Sequence, residues 1–162
     1  MRYSARFLDK DQDEWDHEYS LSEVDINPFP FRADERARVL VYENDVPIML
    51  LHVFIEIDKE GCLLDSCFSG LLCNEQYVAI MLGQHIHLFE IASQKFRSLY
   101  LDDFVGHIYS VPDCLNIKLS ENFLVTTFCY VFLVNVVEGI TWKSPMCGID
   151  GVIISNISDG II

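Results

Sequence analysis

From Arg38 onward, short runs rich in Val, Ile, Leu and Phe follow one another along the chain. They are separated by dipeptides that suit tight turns, such as Gly83-Gln84, Ser93-Gln94 and Glu138-Gly139. Several runs alternate loosely between apolar and polar positions, and none keeps a helical period for about twelve residues. The pattern therefore predicts an all-β domain of antiparallel strands.

The strand-like runs recur at a nearly constant spacing. Gly61, Gly106 and Gly151 open similar runs and lie 45 residues apart. Tyr77 and Phe123 open a second pair of matching runs, 46 residues apart. A period of this length with several strands per unit is the size of a four-stranded propeller blade. We therefore predict four-stranded antiparallel repeats of about 45 residues, in an open, partial β-propeller-like or β-sandwich array.

Two complete units are predicted, preceded by half a unit at 39–57. Their strands are expected near 61–67, 76–83, 85–92 and 96–102, and then near 106–111, 123–129, 131–137 and 140–144. Residues 151–155 begin a further copy that the chain does not complete. Since propellers generally need four or more blades, the array is predicted to have an open edge at 153–162. The acidic N-terminal segment, a second copy of the chain or a different protein would cover it.

The chain reads as a single domain, 1–162, with two compositionally distinct parts. Residues 1–36 are polar and acidic and are predicted to form an N-terminal arm, whereas 37–162 form the β-repeat core. Eight of the acidic residues fall in the first 25 positions. Within the arm, Trp15 and Tyr19 are four residues apart, which would place them on one face of a helix. They would anchor the arm to its own domain or to a partner.

Charge narrows the classes of partner. The chain has 25 acidic and 11 basic residues and a net charge of −14, so its surface repels nucleic acid and anionic membranes and attracts basic proteins. Acidity that serves solubility alone is the competing interpretation. No apolar stretch follows the N-terminus as in a signal peptide, and none reaches the roughly 20 residues of a membrane-spanning helix. We therefore expect a cytoplasmic protein whose six cysteines are reduced thiols.

Candidate chemistry is sparse. His85 and His87 share one face of a predicted strand, but the sequence supplies no third metal ligand. The cysteine spacings lack a zinc knuckle, and no nucleophile elbow, phosphate loop or dinucleotide motif occurs. The pair Asp102-Asp103 is better explained as solvated turn residues than as acid/base catalysts. We expect no metal, no cofactor and no enzymatic activity.

One motif and the general character of the chain resemble those of known proteins. The run Ile140-Thr141-Trp142-Lys143-Ser144-Pro145, followed by Gly148 to Ile154, resembles the blade junctions of small bacterial β-repeat proteins. In size, acidity and single-domain character the chain is similar to immunity proteins of bacterial contact-dependent growth inhibition and related toxin systems. That resemblance implies a protein that binds and blocks a cognate toxin, often a basic nuclease. It covers about residues 60–162 and transfers no inhibitory residue.

The predicted function is accordingly neutralisation of a basic partner, a nuclease toxin domain, by occlusion of its active site. Carboxylates would pair with the toxin's lysines and arginines, and aromatic side chains would supply desolvated anchors. The alternative is a scaffold module that self-associates into a homo-oligomer through the open sheet edge. The expected partner-binding residues are Asp11, Asp13, Glu14, Trp15, Asp16, Tyr19, Glu75, Asp102, Asp103, Phe104 and Glu121.

Overall fold

The computed structural model describes residues 2–8, 21–65, 67–115, 117–118 and 120–155. These residues form three four-stranded sheets in which every pairing is antiparallel except one. The prediction of an all-β fold is confirmed. A single turn of 3₁₀ helix at Asp113–Leu115 interrupts the strands. Over the described ranges, no helix has the length and apolar character needed to cross a membrane.

Sheet 1 has the strand order β1-β3-β4-β2. Val24 and Ile26 of β2 turn inward between exposed acids, and the inner face of β1 is likewise set by alternate residues. This period of two is typical of a half-buried strand. Two segments of the predicted N-terminal arm, 1–36, therefore belong to sheet 1. The strands of sheet 1 are β1 (Tyr3–Leu8), β2 (Ser22–Ile26), β3 (Ala33–Glu43) and β4 (Val46–Glu56).

Sheets 2 and 3 are simple antiparallel meanders, with their strands side by side in sequence order. Short turns join most neighbours, as the predicted turn dipeptides require. Sheet 2 contains β5 (Gly70–Cys73), β6 (Tyr77–Leu82), β7 (His85–Glu90) and β8 (Lys95–Tyr100). Sheet 3 contains β9 (Val105–Ser110), β10 (Asn122–Thr127), β11 (Val131–Asn135) and β12 (Gly139–Lys143).

Seven of the eight strands predicted for the two complete units lie where the sequence places them, within a few residues at each end. The strand predicted at 61–67 is wrong, because the first strand of sheet 2 is Gly70–Cys73. Residues 61–65 lie in the connection that leaves β4, where only Leu63 makes an isolated bridge, to Ile57. Residues 151–155 run alongside sheet 3 without forming a strand of it.

The three sheets stack face to face, with sheet 2 in the middle. Alternate residues of β6 serve the two interfaces, since Ile80 packs in the core shared with sheet 1 and Met81 in the core shared with sheet 3. Both faces of this strand are therefore apolar, as expected of a strand covered on two sides. The first strands also touch, because β5 contacts β1 on one side and β9 on the other.

The burial pattern gives the structural repeat a period of 45 in the second and third strands of sheets 2 and 3. Ile80 faces the preceding sheet and so does Val125, 45 residues later, whereas Ala79 faces the following sheet. A spacing of 46 pairs residues on opposite faces, because a one-residue shift along a strand reverses every side chain. The match of Tyr77 with Phe123 is therefore one residue out of register.

Candidate functional site

Connections from all three sheets meet at one end of the stack. The hydroxyl of Ser22, at the start of β2, donates to Oε1 of Gln94 in the β7–β8 turn at 3.3 Å. Nδ2 of Asn74, in the β5–β6 turn, donates to the carbonyl oxygen of Ser120 before β10 at 2.9 Å. These bonds join sheet 1 to sheet 2 and sheet 2 to sheet 3. We call this surface, with the β3–β4, β5–β6 and β9–β10 connections, the acidic end.

The β5–β6 turn is held by Asn74. Its Oδ1 accepts hydrogen bonds from the backbone N–H groups of Gln76 and Tyr77, both at 2.8 Å. Such side-chain caps order a turn without a strand partner. Glu75 projects from this turn and is exposed. A cavity of about 320 Å³ separates it from the β9–β10 connection and is lined by Asn74, Glu75, Gln76, Lys118 and Ser120.

Glu121 lies on the neighbouring β9–β10 connection, directly after Ser120, the residue 45 positions after Glu75. Glu121 forms an ion pair with Lys118. Around Tyr77, burial together with the carboxylates of Glu90 and Glu121 raises the pKa of the phenol. Carboxylates of two different sheets thus act on one phenol.

On sheet 1, a second tyrosine likewise lies beside a carboxylate at this end. Burial and the carboxylate of Glu43 raise the pKa of Tyr3. Glu43 ends β3, and the exposed Asp45 follows it in the turn to β4. Glu43, Asp45 and Glu90 are not among the predicted partner-binding residues, because that selection rested on turn acids and aromatic residues rather than on strand ends. Only the strand registers bring them to one end.

Asp102, Asp103 and Phe104 lie at the opposite end of the sheets from Glu75. They follow β8, whose last residue Tyr100 pairs with His85 at the far end of β7. These residues and the pair Glu75 and Glu121 therefore form two separate surfaces, which a single flat contact does not span.

Asp103 is a structural connector in this position. Its Oδ1 accepts a hydrogen bond from the backbone N–H of Phe104, and its Oδ2 accepts one from that of Cys129, each at 2.8 Å. Phe104 packs near Phe128, with ring centroids 6.0 Å apart. The carboxylate thus ties the β8–β9 connection to the β10–β11 turn, and the expected solvated turn pair is solvated only at Asp102, which is exposed.

The remaining predicted contacts belong to the N-terminal segment and lie outside the described residues. They are Asp11, Asp13, Glu14, Trp15, Asp16 and Tyr19.

The two histidines of β7 share a face, as predicted. Their rings stack with centroids 6.0 Å apart, and Nδ1 of His87 lies 2.7 Å from Oγ of Ser98. His87 is fully buried, and burial together with His85 lowers its pKa to about 3. The ring is therefore neutral and its Nε2 has no hydrogen-bond partner. In the part of the chain that the structure describes, no group of three or more His, Cys, Asp or Glu residues is placed to hold a metal ion.

The largest described cavity, about 640 Å³, opens between sheets 1 and 2 beside the connection that enters β5. Arg36 and Asp65 form an ion pair in its wall, and Cys67 and Phe68 complete that side. Its described lining includes no histidine that could activate the Cys67 thiol. Mixed charge and the lack of a base–nucleophile pair among these residues make it a weaker candidate than the acidic end.

Comparison of the chain with protein-family models, with curated protein sequences and with solved structures finds no match in any of the three. Function therefore has to be inferred from the residues and geometry of this chain.

Proposed function

We propose that this chain is a non-enzymatic, cytoplasmic binding protein that neutralises a basic protein partner. The observation that carries the proposal is the convergence of acidic connections at one end of three sheets. Glu75 and Glu121 lie there on turns joined by the Asn74–Ser120 hydrogen bond. Within a chain of net charge −14, this end offers carboxylates on a scaffold of paired strands. Such complementarity speeds encounter with a cationic surface.

The class of partner that fits best is a nuclease toxin domain, and the function is that of an immunity protein. A nuclease binds phosphate with lysines and arginines, which are the groups that the carboxylates of the acidic end would pair with. Binding there would occlude the nucleic-acid site without any chemistry by the inhibitor. The resemblance in size and acidity to bacterial immunity proteins supports the same conclusion.

The scaffold we propose is an open, propeller-like array of three blades. Two observations support it: sheets 2 and 3 are meanders of the size of a blade, and the first strand of sheet 2 contacts the first strands of both neighbours. Sheet 1 departs from the pattern, because its β2 pairs with β4 in parallel. The end surface of such an array gathers turns from every blade, which suits it to binding.

The test is inhibition of purified cationic nuclease domains from bacterial toxins, with association rates measured by stopped flow at several salt concentrations. Glu75→Lys should slow association by roughly tenfold, because a rim charge acts mainly on the encounter rate. Glu60→Lys is the matched control, since Glu60 is equally exposed but lies in the β4–β5 connection. Association that ignores salt, or equal losses in both variants, would contradict the proposal.

A further inference from the structure

Two thiols meet where the chain that follows β12 returns to the β10–β11 turn. Cys129 lies in this turn, Cys147 lies in the segment after β12, and both are free thiols. The backbone N–H of Cys147 donates to the carbonyl oxygen of Cys129 at 2.9 Å. The Cys147 thiol donates to the same oxygen, with Sγ 3.5 Å away. The backbone and the side chain of Cys147 therefore both lie against Cys129.

The backbone distance between the two residues suits a disulfide. Because the bond lengths on either side of the hydrogen bond are fixed, a contact of 2.9 Å holds the two Cα atoms within about 6.8 Å of each other. Disulfides span Cα distances of about 4.4–6.8 Å. The backbone therefore needs no large movement for the two sulfur atoms to join.

The segment that carries Cys147 is held in place on both sides. Before it, the N–H of Ser144 donates to the carbonyl oxygen of Val131 at 2.8 Å, and Oγ of Ser144 accepts from the N–H of Val131 at 2.9 Å. After it, the N–H of Gly151 donates to the carbonyl oxygen of Phe128 at 3.1 Å. Cys147 is thus fixed beside the β10–β11 turn, so little conformational freedom is lost when a bond forms there.

The two thiols differ in access. Cys147 is exposed, whereas Cys129 is half-buried. Burial raises the pKa of the Cys129 thiol, and the carboxylate of Asp103 and the sulfur of Cys147 raise it further. Since the thiolate is the species that attacks a disulfide, Cys147 is the thiol that an external disulfide meets first. The influence of Cys147 on the pKa of Cys129 also shows that the two side chains lie near each other.

We propose that Cys129 and Cys147 are a site of reversible oxidation, at which a small disulfide such as oxidised glutathione converts the two thiols into an intramolecular disulfide. The N–H of Cys129 donates to Oδ2 of Asp103 at 2.8 Å, which places the site at the opposite end of the sheets from Glu75. The inference is therefore independent of the basic partner. In a reducing compartment, disulfides are typically transient and redox-sensing rather than structural.

The exchange takes two steps. The thiolate of Cys147 attacks one sulfur of the small disulfide, forms a mixed disulfide and releases one small thiol, which takes up the proton that Cys147 gave up. The Cys129 thiol then loses its proton, and its thiolate attacks the Cys147 sulfur and releases the second small thiol in the same way. Two protein thiols are oxidised and one small disulfide is reduced to two thiols, so an excess of reduced thiol reverses the reaction.

The disulfide would join parts of the chain that are 18 residues apart. A crosslink of this kind stabilises a fold mainly by removing conformations from the unfolded chain. It would also fasten the β8–β9 connection, because Asp103 of that connection is bound to the backbone of Cys129. The oxidised chain is therefore expected to be the more stable form.

Peptide mapping of the full chain tests the site. The folded protein is incubated in buffers of reduced and oxidised glutathione, its remaining thiols are alkylated, and it is digested with trypsin without reductant. Cleavage after lysine places Cys129 in the peptide 119–143 and Cys147 in the peptide 144–162, and neither peptide holds another cysteine. We expect the two peptides to be linked, with the loss of two hydrogen atoms, and to separate after treatment with dithiothreitol.

The midpoint of thermal unfolding gives a second measurement. The oxidised wild type should melt several degrees above the reduced protein, and dithiothreitol should reverse the rise. Cys147→Ser should show neither the linked peptides nor the rise. Cys129→Ser should stop at the mixed disulfide, with one glutathione on Cys147, because the second thiol is missing.

Cys62→Ser is the matched control, because Cys62 is an exposed thiol in the β4–β5 connection. Its loss should leave the linked peptides and the rise in the midpoint unchanged. Glutathione adducts on Cys147 without any linked peptide in the wild type would overturn the site. Linkage of Cys147 to Cys62 as often as to Cys129 would overturn it as well. Neither result bears on inhibition of a nuclease, which Glu75→Lys tests separately.

Discussion

At the scale of single residues, His87 combines complete burial with a proton-binding group. Its Nδ1 is satisfied by Ser98, but Nε2 lacks a partner. The equivalent position in sheet 3, 45 residues later, is Phe132. Its apolar ring fills the same kind of buried site and leaves no polar atom without a hydrogen-bond partner. A buried polar atom without a partner destabilises a fold, so His87 is a weak point that the repeat does not require.

The buried imidazole makes stability depend on pH. Its pKa falls from the usual 6.5 to about 3 in the folded chain, so the unfolded chain binds the extra proton between these values. Above pH 6.5 the His87 ring is neutral in both the folded and the unfolded chain, so it adds no pH dependence. As pH falls from 6.5 toward 3, only the unfolded chain binds the proton, and the free energy of unfolding decreases by about 1.4 kcal/mol per pH unit.

His87→Phe should remove this component. Urea unfolding of both proteins between pH 7 and pH 4 should show a smaller loss of stability on acidification in the variant, since the carboxylates contribute equally to both. Parallel pH profiles would show that His87 is not the source.

At the scale of elements, Asp103 couples the connection from sheet 2 to sheet 3 with the β10–β11 turn of sheet 3. Its carboxylate is the acceptor for two backbone N–H groups on different connections, at Phe104 and Cys129. Loss of the carboxylate leaves both donors without their acceptor, at a cost of about 1–3 kcal/mol. Packing of Phe104 on Phe128 holds the same two connections together from the apolar side.

Asp103→Ala should therefore lower the free energy of unfolding by about 1–3 kcal/mol in urea denaturation. Asp102→Gly is the matched comparison one residue earlier. Asp102 is exposed with φ +57°, a backbone conformation that favours glycine, so this variant should be neutral or slightly stabilising. Equal destabilisation by both substitutions would argue against the connector role.

At the scale of the whole molecule, the acidity of the chain opposes folding. A net charge of −14 on a chain of 162 residues repels itself in the compact state. Described ion pairs such as Arg36–Asp65 and Lys118–Glu121 are few and partly exposed, so they offset little of this repulsion. Screening by salt should therefore stabilise the fold.

The midpoint of thermal unfolding at pH 7 should rise as potassium chloride increases and level off once the charges are screened. The same series near the sequence pI of about 4.5 should be much flatter, because most of the net charge is gone. Circular dichroism at a strand wavelength measures both series. A midpoint that falls with salt at pH 7 would mean that the ion pairs outweigh the repulsion.

The sequence by itself determined the fold class and most of the strands. Alternation and turn dipeptides act within a few residues, so β6 to β12 could be placed before any sheet was known. β2 was missed because its acidic composition masked a correct alternation around Val24 and Ile26. β5 was misplaced because the connection before it is longer than in the next unit, which breaks the sequence spacing.

The tertiary structure alone decided which residues share a surface. Glu75 and Glu121 lie on connections joined at one end by the Asn74–Ser120 hydrogen bond, but Asp102 and Asp103 lie at the other end because β8 runs back along sheet 2. Likewise, only the packing shows that Val131 of β11 faces away from sheet 2, in a buried cluster with Val111 and Leu124. Side-chain periodicity is local, but the end of a sheet and the face of a stack are set by strand pairing between residues distant in sequence.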